Sequence, residues 1–254
     1  MTRLFSPRFI ITLFAVPIIG ALALFWYFSL QGVLKYERTS DSASSREANL
    51  TENFSKTFLD KFGDKIVKGE DLSKISPEEI SAASQEIVPF EKIVGVIPIA
   101  TKDDIAILDE NSPEAVKNYF NSLYGVYEKT FLVIQVDDVE ILSEALSENN
   151  FSKLSQIDKI IAAFDKSFEE VKNIPVPRSQ ENFAVQELNY LLRSKKFVEF
   201  IRNVDKDPLA ALLALKERLL LMDEVRSFHK KTFGDLLSVG ISFSPEEGGY
   251  KFFK

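Results

Sequence analysis

The chain has 254 residues, 38 acidic against 31 basic side chains, a net charge of −7 and no cysteine. An acidic balance without a basic stripe argues against nucleic acid as a partner, because phosphate binding needs clustered Lys and Arg. Lack of cysteine excludes disulfides, thiol chemistry and cysteine-ligated zinc, and a hydrophobic content of 45% with 22 Phe excludes a wholly disordered chain.

Residues 1–8 read as a short basic tail carrying Arg3 and Arg8. Residues 9–30, FIITLFAVPIIGALALFWYFSL, hold no charge, and their only aliphatic hydroxyls are Thr12 and Ser29. As a helix this stretch is about 33 Å long, enough for a hydrocarbon core of about 30 Å. Ala21-Leu22-Ala23 has the small-x-small form of a signal-peptide cleavage site. Hydrophobicity nevertheless continues through Leu24-Phe25-Trp26-Tyr27-Phe28, and Trp26 and Tyr27 sit where an aromatic belt meets the interface. The sequence therefore predicts a retained signal-anchor helix over 9–30, with the lipid bilayer as its partner. The basic leader favours a cytoplasmic N-terminus and a single-pass protein whose C-terminal domain is extracytoplasmic.

Residues 31–53 form a polar linker or stem, with TSDSASSRE at 39–47. A helical-bundle domain is expected over 54–240. Phe54, Phe58, Phe62 and Ile66 share one helical face, and Ser76-Pro77-Glu78-Glu79 is a helix start. Residues 93–108, IVGVIPIATKDDIAIL, are β-branched and broken at Gly95 and Pro98; they suit either two short strands or an extended strap.

Ser112-Pro113-Glu114 repeats the cap chemistry. Val116, Phe120, Leu123, Tyr127, Phe131, Ile134, Ile141 and Ala145 step by three, four or seven, which predicts one long amphipathic helix ending at Asn149-Asn150. A second stripe, Ile157, Ile160, Ile161, Phe164, Phe168 and Val171, ends at NIPVPRS. A third runs from Val185 to about Asn203, and Asp207-Pro208 starts a last helix that fades near Gly240. Short loops between consecutive helices predict antiparallel neighbours, so the fold class is all-α.

The tail, 241–254, alternates Ile241 and Phe243, turns at Gly248-Gly249 and ends on Tyr250, Phe252 and Phe253. These three aromatics are expected to dock on the domain's own core. They are also the candidate partner-binding residues, since an exposed aromatic patch marks an interface.

Candidate chemistry is sparse. His229 is the sole histidine; with no carboxylate orienter nearby in sequence it reads as a surface position near a helix C-terminus. Asp137-Asp138 interrupts the apolar stripe, and adjacent helical residues diverge by about 100°, so one of them is expected to be partly buried and paired with Lys or Arg. Asp103-Asp104 lacks the ligand spacing of a calcium loop. No nucleotide-binding, nucleophile-elbow or zinc-protease motif is present. The sequence thus names no catalytic residue, no metal ligand and no cofactor site.

On FIITLFAVPIIGALALFWY, NIPVPRS, DPLAALLALK and GISFSPEEGGYKFF, the layout resembles bacterial single-pass envelope proteins with an N-terminal signal-anchor and a helical external domain. That resemblance implies an envelope location but no activity. The reading that follows is non-enzymatic: an adaptor or structural subunit of an envelope assembly, of a secretion or pilus-like kind, with protein partners in the envelope. The alternative is a sensory or solute-binding domain working with a partner membrane protein. A pocket of about 300 Å³ or more with convergent polar groups favours the alternative, and a large apolar surface patch favours the first.

Overall fold

Several helix starts are set locally, where the side chains of Ser112, Asp137 and Asp207 accept from amides of the first turn. The computed structural model describes residues 49–52, 56, 60, 97–134 and 136–254. The anchor expected over 9–30, the linker up to residue 48 and the helix start at Ser76 lie outside these residues. No helix among the described residues is long and apolar enough to cross a membrane. Glu47–Lys254 form one compact unit, and its described part is mostly helical.

Leu50 to Glu52 are helical, with Asn49 accepting from the Glu52 amide at 2.8 Å as an N-cap. Leu50–Glu52 are thus helical and Leu50 packs on Ala210, within residues 31–53 read as linker, where a helix starting near Ser45 is the other sequence reading. The strap is then seen from Ile97. Ile97 and Ala100 are buried, and Asn189 pins Ala100 from both sides, accepting from its amide at 2.8 Å and donating to its carbonyl at 3.1 Å. After a short 3₁₀ turn at Lys102–Asp104 comes β1 (Ile107–Leu108). It pairs in parallel with β2 (Val176–Pro177), with Ile107 opposite Val176. The strap therefore pairs with NIPVPRS, and its described residues form no hairpin of their own.

Helix α1 (Pro113–Thr130) begins where Ser112 accepts from the Ala115 amide at 3.1 Å. It does not continue to Asn149. The chain leaves the helix at Phe131, and α2 (Asp138–Ser147) starts afresh with Asp137 accepting from the Val139 amide at 2.8 Å. The single long helix read from the stripe is thus two helices. Apolar spacing carries across the break by coincidence, while β-branched Val133, Ile134 and Val136 and a strong N-cap at Asp137 favour leaving and restarting. The acidic pair does not interrupt a helix; it begins one.

A 3₁₀ turn (Phe151–Gln156) feeds α3 (Ile157–Lys172). Helix α4 (Glu181–Arg202) follows the two prolines, and α5 (Pro208–Ser238) follows Asp207, which accepts from the Ala210 amide at 3.1 Å. Ion pairs fix the directions. Asp158 meets Arg202 and Asp165 meets Lys195, so α3 and α4 run antiparallel. Arg193 meets Glu224, and the hydrogen bond between Glu187 and His229 lies earlier on α4 but later on α5, so these two helices do likewise. Gly240, at φ +82°, ends α5, and the Ile241 amide returns to the Leu236 carbonyl at 2.9 Å.

Among the described residues the core has two large centres and a small third one, Leu50 with Ala210. One large centre gathers around Phe120, Leu123, Val176, Leu188 and Phe243, the other around Leu154, Ile157, Phe197, Ile201 and Leu221. Phe164, Leu192 and Phe228 touch both. Each fully buried Phe or Leu contributes about 1.5–3 kcal/mol.

Residues 241–244 lie outside any helix, and the turn expected at Gly248-Gly249 is not made. Those glycines open α6 (Gly248–Phe253), and the Gly249 amide donates to Asn121 at 2.7 Å. Close approach explains the glycines: a Cβ on Gly249 would lie 2.3 Å from the Phe243 ring. Phe252 and Phe253 stand against Phe120 at 6.1 and 4.9 Å between ring centroids, and Tyr250 packs on the same core.

Candidate functional site

Helix α4 carries a charged residue in an aromatic row: Phe183, Glu187, Tyr190 and Ser194 step by four, three and four. That spacing turns Glu187 inward, where its side chain is only 4% exposed. Tyr127, from α1, donates its hydroxyl to Glu187 Oε1 at 2.5 Å. His229, from α5, meets Oε2 through Nε2 at 2.8 Å. Three helices thus each supply one member of a tyrosine–glutamate–histidine row, with Glu187 buried and its two partners half-buried.

The surroundings are aromatic. The His229 ring lies 4.6 Å from Phe252, and Tyr127 stacks on the same ring at 5.9 Å. Burial pushes the Tyr127 hydroxyl well above its usual range, and the nearby Glu187 charge and hydrogen bond add to the rise. Tyr119 is raised well above it too, by burial first and then by Glu187, and its buried hydroxyl has no partner among the described residues.

The row opens into a cleft of about 350 Å³. Tyr124, Phe131, Tyr190 and Phe252 line it, with Glu128, Ser194 and Lys251 as further polar groups. Along α5, Arg218, Met222, Val225 and His229 share one face by their spacing, and the last two reach the cleft wall. A larger hollow, about 560 Å³, lies between α1 and α3. Its Lys129 and Glu170 are already paired at 2.5 Å, and no buried polar side chain enters it.

These positions correct the sequence reading of His229. It is no surface residue, since its side chain is 16% exposed and its carboxylate orienter, Glu187, lies 42 residues away. Asp138 meets its expectation: the carboxylate is 1% exposed and binds Arg218 at 2.7 Å, while Asp137 caps α2. Burial raises the Asp138 pKa, and Arg218 only partly offsets that. Of the three tail aromatics, Phe252 lines the cleft, while Phe253 and Tyr250 pack on the core.

Chemically, the row orients a histidine beside an open space. Among the described residues no Ser or Thr hydroxyl is bonded to His229, so a nucleophile–base pair is not assembled. Nor does any group of three or more His, Asp or Glu side chains there stand ready for a metal ion. No protein-family model matches the chain, and no curated protein or solved structure is significantly similar to it.

Proposed function

We propose that the chain is a membrane-tethered, non-enzymatic domain that binds a small molecule, of the sensory or solute-binding kind, and works with a partner membrane protein. One observation carries this reading: the convergence of Tyr127, Glu187 and His229 on an aromatic cleft of about 350 Å³. Ligand sites combine mainly apolar walls with a few placed polar groups, and this cleft has both. Residues 9–30 supply the tether by their length and lack of charge, and the basic leader puts the domain on the extracytoplasmic side. Antiparallel packing of helices joined by short loops supplies the scaffold.

The test is native mass spectrometry of the full chain released from detergent. A reproducible non-covalent adduct of a few hundred daltons, lost in His229→Ala, supports the reading. An adduct-free protein whose melting temperature no metabolite fraction raises counts against it.

A second reading, an adaptor or structural subunit of an envelope assembly, draws on the α1–α2 break. There Leu132 and Val133 are 67% and 69% exposed, and Val136 is 37% exposed. Apolar side chains offered together suit a protein partner. Cross-linking from Val133 in membranes, with loss of the product in Val133→Asp, tests it.

A further inference from the structure

Glu187 is a buried carboxylate whose two polar neighbours are a phenol and an imidazole. Both oxygens are engaged, by the Tyr127 hydroxyl and the His229 imidazole, yet among the described residues no Lys or Arg pairs with it. A carboxylate taken out of water without a full counter-charge is costly, and that cost attracts a cation. The cleft beside it has the walls that hold organic cations. Tyr124, Tyr127, Phe131, Tyr190 and Phe252 present aromatic rings, whose π faces are negative. A second carboxylate, Glu128, stands at the rim, where it accepts from the Tyr124 hydroxyl at 3.2 Å. Against these two acids the lining holds a single lysine, Lys251. That lysine already shows the chemistry, because its Nζ lies 5.5 Å from the centre of the Tyr124 ring.

We infer that the cleft is a site for a small organic ammonium, a protonated or quaternary amine on an apolar or aromatic body. The rings surround the body and the cationic head, and Glu187 supplies the counter-charge. This rests on the ligand-binding reading above and narrows it to one chemical class. An anionic ligand is disfavoured because it would meet two carboxylates for one lysine.

The experiment uses the full chain in detergent micelles. Because the chain has one histidine, selective carbon labelling of imidazole gives a single NMR signal, and that signal reports on this site alone. Three probes of equal shape are titrated: 2-phenylethylammonium, neutral 2-phenylethanol and anionic phenylacetate. The expected result is saturable movement of the His229 signal by the ammonium at a concentration at least tenfold below that needed for the alcohol, with phenylacetate weakest. In Glu187→Gln, which keeps the shape and removes the charge, the preference for ammonium over alcohol should fall at least tenfold. The wild-type comparison stands even if that variant does not fold. Equal response to alcohol and ammonium, or a stronger response to phenylacetate, overturns the ammonium assignment and leaves ligand binding intact. No movement by any of the three up to about 10 mM, weaker than a millimolar affinity, overturns the assignment as well. The ligand-binding reading itself then stands or falls on the mass-spectrometric adduct.

Discussion

Thr51 and Asp207, 156 residues apart, share a hydrogen bond of 2.6 Å between hydroxyl and carboxylate. Around it, Asp207 also accepts from the amides of Leu50, Thr51 and Ala210, and Thr51 Oγ1 accepts from the Leu209 amide at 3.0 Å. One carboxylate therefore caps α5 and clasps the segment that leads in from the N-terminal side. Leu50 buries itself against Ala210 beside this clasp.

Asp207→Ala should lower stability by about 0.5–2 kcal/mol for the lost cap, with a further loss from the stranded stem amides. Thr51→Ala should cost less, and the two changes should be clearly non-additive, since they remove one shared network. Urea unfolding of the four proteins measures this. Simple additivity would mean that the clasp contributes nothing as a unit. Amide exchange at Leu50 and Thr51 should speed up in Asp207→Ala, because both amides lose their acceptor.

Arg218 holds down a buried charge. Removing it in Arg218→Ala leaves Asp138 alone at 1% exposure, and a broken buried pair costs about 3–5 kcal/mol. The pH dependence follows from the raised pKa of Asp138. A carboxyl that holds its proton more tightly when folded favours the folded state fully below its unfolded value, near 3.8. That contribution is lost as pH rises through the higher folded value. Asp138→Asn should therefore remove a loss of stability that the parent shows just above pH 3.8. A parent and variant with parallel stability–pH curves in that window would contradict the burial of Asp138.

Helix starts were readable because they are local. Ser112-Pro113 and Asp207-Pro208 carry their caps within four residues, and both helices begin there. The break at 131–137 was signalled only by the β-branched run within Phe131 to Val136, which the helical spacing on both sides of it outweighs; the Asp137 cap decides the restart. The site was hidden for a different reason. Tyr127, Glu187 and His229 are brought together by antiparallel packing of helices, across 60 and 42 residues. The available signal was a charge on an aromatic stripe: Glu187 stands between Phe183 and Tyr190, where a solvated face would not put it.

The anchor expected over 9–30 predicts a location. The full-length protein should sediment with membranes, resist carbonate extraction and keep its N-terminus, because the run exceeds the apolar core of a typical signal peptide. N-terminal sequencing that finds a mature start at Leu24 would sink the tether and leave a released domain.

The last prediction separates the tail's two roles, plug and handle. Helix α6 is held by the Gly249 amide on Asn121, by Lys117 paired with Glu247 at 3.2 Å, and by the rings of Phe252 and Phe253. Deleting Gly248 to Lys254 uncovers Phe120 and His229 and removes several half-buried aromatic contacts, each aromatic pair worth about 0.5–1.5 kcal/mol beyond its area. The melting temperature should fall clearly. Gly249→Ala is the subtler variant, since its methyl would fall inside the Phe243 ring contact and lever the tail away without removing a ring. It should lower the melting temperature by less than the deletion, while the His229 NMR signal shifts in both. If neither variant changes stability and co-purifying envelope proteins disappear instead, Tyr250, Phe252 and Phe253 serve a partner. A fall in stability with the same proteins still bound makes the tail a wall of the cleft.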